Sequence, residues 1–475
     1  MTRSFLHSAK FYTLTQIVSS VAIFLRNLIL ARLLSVDDFG IASTFAIVMS
    51  FIEAFSTIGT DKYLLVTKDR PNKYVLGSAH FLFLVRGILV SIMLYLMSGW
   101  LARVFGVPDL EWAYQVLAII PFLKGLTHFS YVLQQRDGEY FALSMFELSG
   151  QLASLIVVAI ASLYYVDYQI ALYAVMTTMI LPVILSHSYA RGCTYSLLPD
   201  KQDLILMLKF AWPIFLGSIL IFAVLHGDKT IVGAYYSLSE LAIFSIAFSL
   251  LSLPAIVLVK LYTSLYLAPM AQECLPGSPI NKPIISGVVF HFVIIGFLAL
   301  SGFSLLGQEV ITLIYGERYE PPQSMVFLIA LAMALRLMRT APSLLAIASH
   351  NPVFGLKQDL ARALAIIPAF YLASAGFELE FFLWVAVFGE VIATILGFWL
   401  VRGLLGSELT LYRITGLYLY FLVFVICMFF ASNAGGTIWI VLVILLFSWL
   451  VFIGILFVIF RSLLESSLYI IKKVH

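Results

Sequence analysis

The stretch Arg26–Ser43 reads RNLILARLLSVDDFGIAS. A cation set among apolar residues opens it, and further apolar residues carry it past a second arginine, Arg32, to Ser35. The polar corner Ser35-Val36-Asp37-Asp38 follows, and Phe39-Gly40 begins another long apolar run. This pattern predicts the end of one membrane helix, a tight turn and the start of the next. The motif returns as Ser237-Leu238-Ser239-Glu240-Leu241-Ala242-Ile243-Phe244-Ser245. Its offset from Ser35–Ser43 is constant at roughly 200 residues, which predicts two related halves.

Composition sets the solvent. The chain has 475 residues, of which 62% are hydrophobic and 11% charged, and its mean hydropathy is +1.03. A soluble domain is about 45–50% apolar and about 25% charged. Only a bilayer accommodates this much apolar surface. The 39 Phe, 24 Tyr and 7 Trp suit lipid-facing surfaces and interfacial belts. A net charge of +3 without a basic run gives no reason to expect a nucleic-acid partner. Cys193, Cys274 and Cys427 lack metal-ligand or CxxC spacing, so neither a metal nor another cofactor is expected. The first apolar segment is longer than a signal h-region and contains Arg26, which predicts a retained span.

A bilayer crossing takes about 20 apolar residues and must be helical. That template predicts an all-α polytopic membrane protein of about fourteen transmembrane helices. The spans fall near 11–34, 39–60, 75–100, 112–133, 141–165, 168–188, 204–226, 240–268, 284–306, 323–348, 357–376, 380–401, 411–432 and 437–460. The longest connection is expected at 307–322. Sixteen Lys and Arg residues then lie on the side of the N-terminus, against Arg103, Lys229 and Arg318 on the other. By the positive-inside rule both termini are cytoplasmic. Six spans per half make the repeat parallel, with a pseudo-twofold axis along the membrane normal. The expected organisation is a six-helix lobe at 1–190, a cytoplasmic linker at 191–203, a second six-helix lobe at 204–402, and a further helix pair with a short tail at 403–475.

The charges inside spans carry the functional reading. Arg26, Arg86, Lys124, Lys260, Arg336 and Arg339 are expected at depth, together with Glu53, Glu147 and Glu390. Each such charge costs about 2.5–3.5 kcal/mol at the centre of a span facing lipid, so all are expected to face protein or water. Six cations against three carboxylates leave a positive surplus, which attracts anions. Arg336 and Arg339 lie three apart on one helix face and could grip one anionic group, as could Lys124 and His128, four apart. The alternative for each is a salt bridge to Glu53, Glu147 or Glu390. His291, alone in span nine, is a candidate proton carrier. No catalytic constellation and no phosphate-binding P-loop pattern is present.

With its LARLLSVDDFGIAS corner, followed by an apolar run through Glu53 to Ile58-Gly59-Thr60, the N-terminal region resembles the polysaccharide transporter branch of the multidrug/oligosaccharidyl-lipid/polysaccharide exporter superfamily. These are the Wzx-type flippases of O-antigen and exopolysaccharide pathways. The resemblance implies two six-helix lobes around a cationic cleft, alternating access, and an undecaprenyl-diphosphate-linked oligosaccharide substrate. It also implies residence in the bacterial inner membrane, beside polysaccharide polymerase and chain-length machinery. On this reading Arg26, Arg86, Lys124, Lys260, Arg336 and Arg339 meet the substrate, and Glu53, Glu147, Glu390 or His291 couple ion or proton movement. Two alternatives stay open. A drug/cation antiporter of the same superfamily would bind cations through buried carboxylates, opposite in sign to the surplus here. A membrane-embedded polymerase or ligase would more naturally carry a large outer loop.

Overall fold

A computed structural model describes residues 2–56, 59–67, 71–191, 193–275, 283–349, 351–405 and 424. The expected last helix pair, at 411–432 and 437–460, and the tail beyond it lie outside the described residues apart from Phe424. The described chain is helical almost throughout, as an apolar solvent requires of backbone that must satisfy its own hydrogen bonds. Nine of its helices are long and apolar enough to cross a membrane, or ten when one bent pair is counted as a span.

The first helices are α1 (Thr2–Leu33), α2 (Val36–Ser56), α3 (Thr60–Val66) and α4 (Lys73–Val104). The span expected at 112–133 is broken into α5 (Glu111–Leu117), α6 (Ile119–Gly125) and α7 (Ser130–Arg136), with a 52° bend at the 126–129 break. Next come α8 (Phe141–Ala161), α9 (Gln169–Ser188), α10 (Lys201–Tyr235) and α11 (Leu238–Glu273). The chain continues with α12 (Pro283–Tyr315), α13 (Gln323–Ala348), α14 (Pro352–Leu364), α15 (Ile366–Ser374) and α16 (Leu379–Val401). Two expectations shift here. The helix expected to end near 306 runs on to Tyr315, which shortens the 307–322 connection. Asp228 and Lys229, expected at an outer corner, lie inside the 35-residue α10.

The opening motif folds as a helix corner closed by its own side chains. Ser35 Oγ accepts from the Asp38 backbone N–H at 3.1 Å and donates to Asp38 Oδ2 at 2.5 Å. Its echo does the same: Ser237 Oγ accepts from Glu240 N–H at 3.1 Å and donates to Glu240 Oε2 at 2.7 Å. Ser237 N–H adds a third bond to that carboxylate at 2.9 Å, which completes a capping box. The acidic residues also favour the positive end of each helix dipole. The two corners touch, Ser239 Oγ donating to Asp37 Oδ1 at 2.6 Å. Gly40 makes room for the contact, since a Cβ there would sit 2.3 Å from the Leu238 carbonyl oxygen.

The chain divides into two compact units, Met1–Ala242 and Ile243–His475. In the first, α8 packs along α9 and α1, α4 packs on α5 and α6, and α10 packs on α2, α3 and α4. In the second, α13 packs on α12, α14 and α16 and is buried along most of its length. Membrane helices gain little from mutual apolar burial, so close backbone approach at small residues does the holding. Gly150 of α8 lies against the Thr178 carbonyl of α9, where a Cβ would come within 2.4 Å.

Gly150→Val therefore separates α8 from α9, and overpacking of this kind costs about 1–3 kcal/mol. Thermal melting of the purified protein in detergent is expected to show a lower Tm for Gly150→Val. Gly217→Ala, with nothing within 4 Å of the added Cβ, is expected to melt like the parent. Equal melting of all three proteins would refute the contact.

Candidate functional site: charged groups inside the membrane helices

In the second unit the charges converge on one carboxylate. Glu390 of α16 is fully buried, and α13 presents Arg336 and Arg339 to it. Arg336 Nε and Nη2 donate to Glu390 Oε1 at 2.9 and 2.7 Å. Arg339 Nε lies 3.1 Å from Oε2. The third arginine, Arg362 of α14, is 1% exposed and donates through Nε to Oε1 at 3.0 Å. Arg339 Nη1 also meets Asp359 Oδ1 at 2.5 Å, at a carboxylate that is 36% exposed.

Local sequence builds this cluster. Residues 336 and 339 share a face of α13, and 359 and 362 share a face of α14. Gly389 lets α14 approach, since a Cβ there would meet the Ala365 Cβ at 2.5 Å and Arg362 Cδ at 3.3 Å. Gly397 likewise makes room for Gln358, whose amide donates to the Arg339 carbonyl at 3.1 Å. Arg336 also stands 5.8 Å from the Phe248 ring centroid. The three guanidinium groups thus meet two carboxylates, Glu390 and Asp359, among the described residues.

Sequence reading named Arg336, Arg339 and Glu390 but not Arg362 or Asp359. The carboxylate shared by Arg336 and Arg339 is the protein's own. Arg362 escaped notice because its segment, LKQDLARAL, reads as the polar edge of a span. The available signal was the acid–base pair at i, i+3 directly before an apolar helix.

In the first unit the groups are more dispersed. Arg86 of α4 is 8% exposed; it donates through Nη1 to the Ser56 carbonyl and lies 3.9 Å from the Phe83 ring centroid. Among the described residues its Nε and Nη2 are buried without a hydrogen-bond acceptor, and Asp61 lies within electrostatic reach. Lys124 of α6 is within electrostatic reach of Glu53, Asp61 and Arg86. Arg26 of α1 bonds neutral groups of α8, donating to Ser154 Oγ at 3.1 Å and Gln151 Oε1 at 3.5 Å. Glu147, also on α8, accepts from Gln16 Nε2 and from the Tyr12 hydroxyl on α1.

The remaining expected groups separate. Lys124 and His128 do not share a helical face, because the helix breaks after Gly125 and His128 turns toward His187 and Tyr195. His291 sits half-buried in α12, 5.9 Å from the Tyr262 ring. Lys260 falls within α11, but its side chain lies outside the described residues. Among the described residues no group of His, Cys, Asp and Glu is arranged to hold a metal.

Long apolar helices with ionised groups facing protein define a polytopic helical membrane protein with a transporter-like fold. The chain belongs to the polysaccharide biosynthesis protein family, whose model matches residues 29–324, more than half of it. Its fold is similar to that of the lipid II flippase MurJ in an inward closed conformation. The TM-score is 0.68 at 13% identity, covering 95% of this chain and 99% of that one. It is also similar to an inward-facing multidrug resistance MATE family transporter of the MOP superfamily. There the TM-score is 0.66 at 16% identity, covering 84% and 95%. A MOP superfamily transporter from Pyrococcus furiosus, described by the reversed polarity of its binding pocket, aligns with a TM-score of 0.53 at 14% identity. That alignment covers 87% and 96%. No curated protein matches the chain.

Removing one partner of a buried ion pair strands the others and costs about 3–5 kcal/mol. Glu390→Gln leaves Arg336 and Arg362 without their carboxylate and Arg339 with Asp359 alone. It is expected to lower the melting temperature in detergent well below that of Asp359→Asn, whose target is partly solvated. Equal melting of the two variants would place the stabilising centre elsewhere.

Proposed function

We propose that this protein is a flippase. In this reading it moves an undecaprenyl-diphosphate-linked oligosaccharide repeat unit across the cytoplasmic membrane of a bacterium, for O-antigen or exopolysaccharide assembly. It does so by alternating access between two lobes, with spans one to six (1–190) and seven to twelve (204–402) as the moving bodies and both termini in the cytoplasm. Polymerase and chain-length machinery would take up the product on the outer face. Family membership supports the pathway, and the MurJ-like fold supports a lipid-linked cargo.

One observation carries the reading: among the described residues the Arg86 guanidinium is buried with Nε and Nη2 lacking hydrogen-bond acceptors, with Asp61 in electrostatic reach and Lys124 near. A buried guanidinium with two unmet N–H groups is costly unless an anion completes it. A diphosphate offers oxygens that suit both N–H groups at once, and Lys124 adds a point charge. Arg26, whose hydrogen bonds go to neutral oxygens of Asn27, Gln151 and Ser154, can turn to an acidic or hydroxyl-rich head without leaving a carboxylate behind. Lys260 is assigned the same role. Arg336 and Arg339, already bound to Glu390, contribute less. Glu53, Glu147, Glu390 and His291 are the candidates for ion or proton coupling.

Movement in one direction requires that the head bind differently in the two access states. A hydrogen bond to a charged group is worth about 1.5–3 kcal/mol, so losing it weakens head-group binding roughly ten- to hundredfold. The Arg86→Gln/Lys124→Gln double variant, produced at parental level, is expected to abolish surface polysaccharide. Complete lipid-linked repeat units should then accumulate on the inner leaflet, and Arg86→Lys should retain part of the export. Normal surface polysaccharide from the double variant would refute the proposal, whereas single units accumulating on the outer leaflet would indicate a polymerase.

A further inference from the structure

Three histidines and a tyrosine of the first unit gather where the bent span meets the segment following α9. His80 (α4), His128 (the 126–129 break), His187 (the end of α9) and Tyr195 have ring centroids 4.5–5.9 Å apart. His80 and His128 are 0% and 2% exposed. None belongs to the charged groups assigned to transport.

The hydrogen bonds fix the protonation of two rings. Phe129 N–H donates to His80 Nε2 at 3.1 Å, and Ser130 N–H donates to His128 Nδ1 at 3.0 Å. Both amides are among those a helix start leaves without intrahelical acceptors, here the start of α7. A ring nitrogen that accepts an amide proton carries none of its own, so both imidazoles are neutral in this arrangement. His80 then holds its proton on Nδ1, which faces the backbone near Ser196 without reaching hydrogen-bond geometry. His187 Nε2 bonds the Leu126 carbonyl at 2.8 Å, and His128 N–H donates to Ser186 Oγ at 3.0 Å. The break is therefore held to α4 by one histidine and to α9 by another.

The same residues strap down the chain beyond α9. Arg191 N–H donates to Ser130 Oγ at 2.7 Å, and that hydroxyl donates to the Arg191 carbonyl at 3.0 Å. Gln134 Nε2 reaches the Tyr189 carbonyl at 3.0 Å, and Asp200 N–H donates to Ser78 Oγ at 2.8 Å. Tyr195 packs on His80 at 4.5 Å. The titratable groups around each imidazole are the other two histidines, Tyr195, and Cys193, which packs against the cluster containing Ala79 and Phe129. The carboxylate of Asp200 is turned instead to the start of α10, where it accepts from the Gln202 and Asp203 amides.

We propose that His80 and His128 form a pH-sensitive latch that fixes the bent span and the segment following α9 while their rings are neutral, and opens when they are protonated. A proton on His80 Nε2 or His128 Nδ1 sets donor against donor, so each protonation removes an amide acceptor from the start of α7. It also places like charges on adjacent rings. This latch is independent of the proposed cargo.

Hydrogen exchange of the full-length protein in nanodiscs, corrected for intrinsic rates, tests it at about pH 8 and about pH 4. Peptides over 126–134 and 189–200 are expected to exchange roughly tenfold faster at the lower pH, while peptides of α13 do not change. In His80→Gln/His128→Asn, the amide oxygens stand in as acceptors that do not titrate, and protection is expected to persist at both pH values. Equal protection of the parent at the two pH values would overturn the latch without need of a variant. A double variant that loosens at low pH as much as the parent would overturn it too.

Discussion

Hydrocarbon offers no partner to a backbone amide or a charged side chain, and the rest of this structure depends on that constraint. It makes the spanning segments helical, and it requires each ionised group at depth to find its partner in the protein. The two units meet the requirement differently. The second concentrates its ionised groups on Glu390, buried among Arg336, Arg339 and Arg362. The first spreads Arg26, Arg86 and Lys124 over three helices and leaves the Arg86 guanidinium incompletely bonded. A ligand that brings its own oxygens is better accommodated by the open arrangement of the first unit than by the closed ion cluster of the second. Charge that is already neutralised holds helices together, and charge that is not remains open to an added anion.

Helix corners have a short-range origin, and so they were readable. Ser35 with Asp38 and Ser237 with Glu240 satisfy one another within a turn, and the repeat was visible in the sequence for that reason. The same holds for the long apolar helices, since each obeys a local composition rule. The Glu390 cluster depends on packing between segments some tens of residues apart. Sequence could name Arg336, Arg339 and Glu390 as buried charges, yet Arg362 looked like a polar helix edge. Only the approach allowed by Gly389 brings it to the carboxylate. The break at 126–129 was hidden too, because Leu126-Thr127-His128-Phe129 contains neither proline nor glycine and continues an apolar pattern. The His128 and Phe129 amides find acceptors on Ser186 and His80 instead, a tertiary arrangement with no local signature.

Glycine acts in this fold mainly as absent volume. Gly40, Gly150, Gly389 and Gly397 each mark a place where another segment lies where a Cβ would stand. At Gly40 the beneficiary is the contact between the two capped corners, and at Gly389 and Gly397 it is the ion cluster. Small residues thus set which polar groups can meet.

The sharing of one carboxylate by three arginines also has a consequence for how the chain is made. α13 leaves the ribosome with Arg336 and Arg339 some fifty residues before Glu390 follows on α16, by the ordinary order of synthesis. A lone helix carrying both would face about 5–7 kcal/mol of insertion penalty from those two side chains. Packing against α16 relieves that penalty, so the hold of α13 in the bilayer depends on a partner made later in the chain.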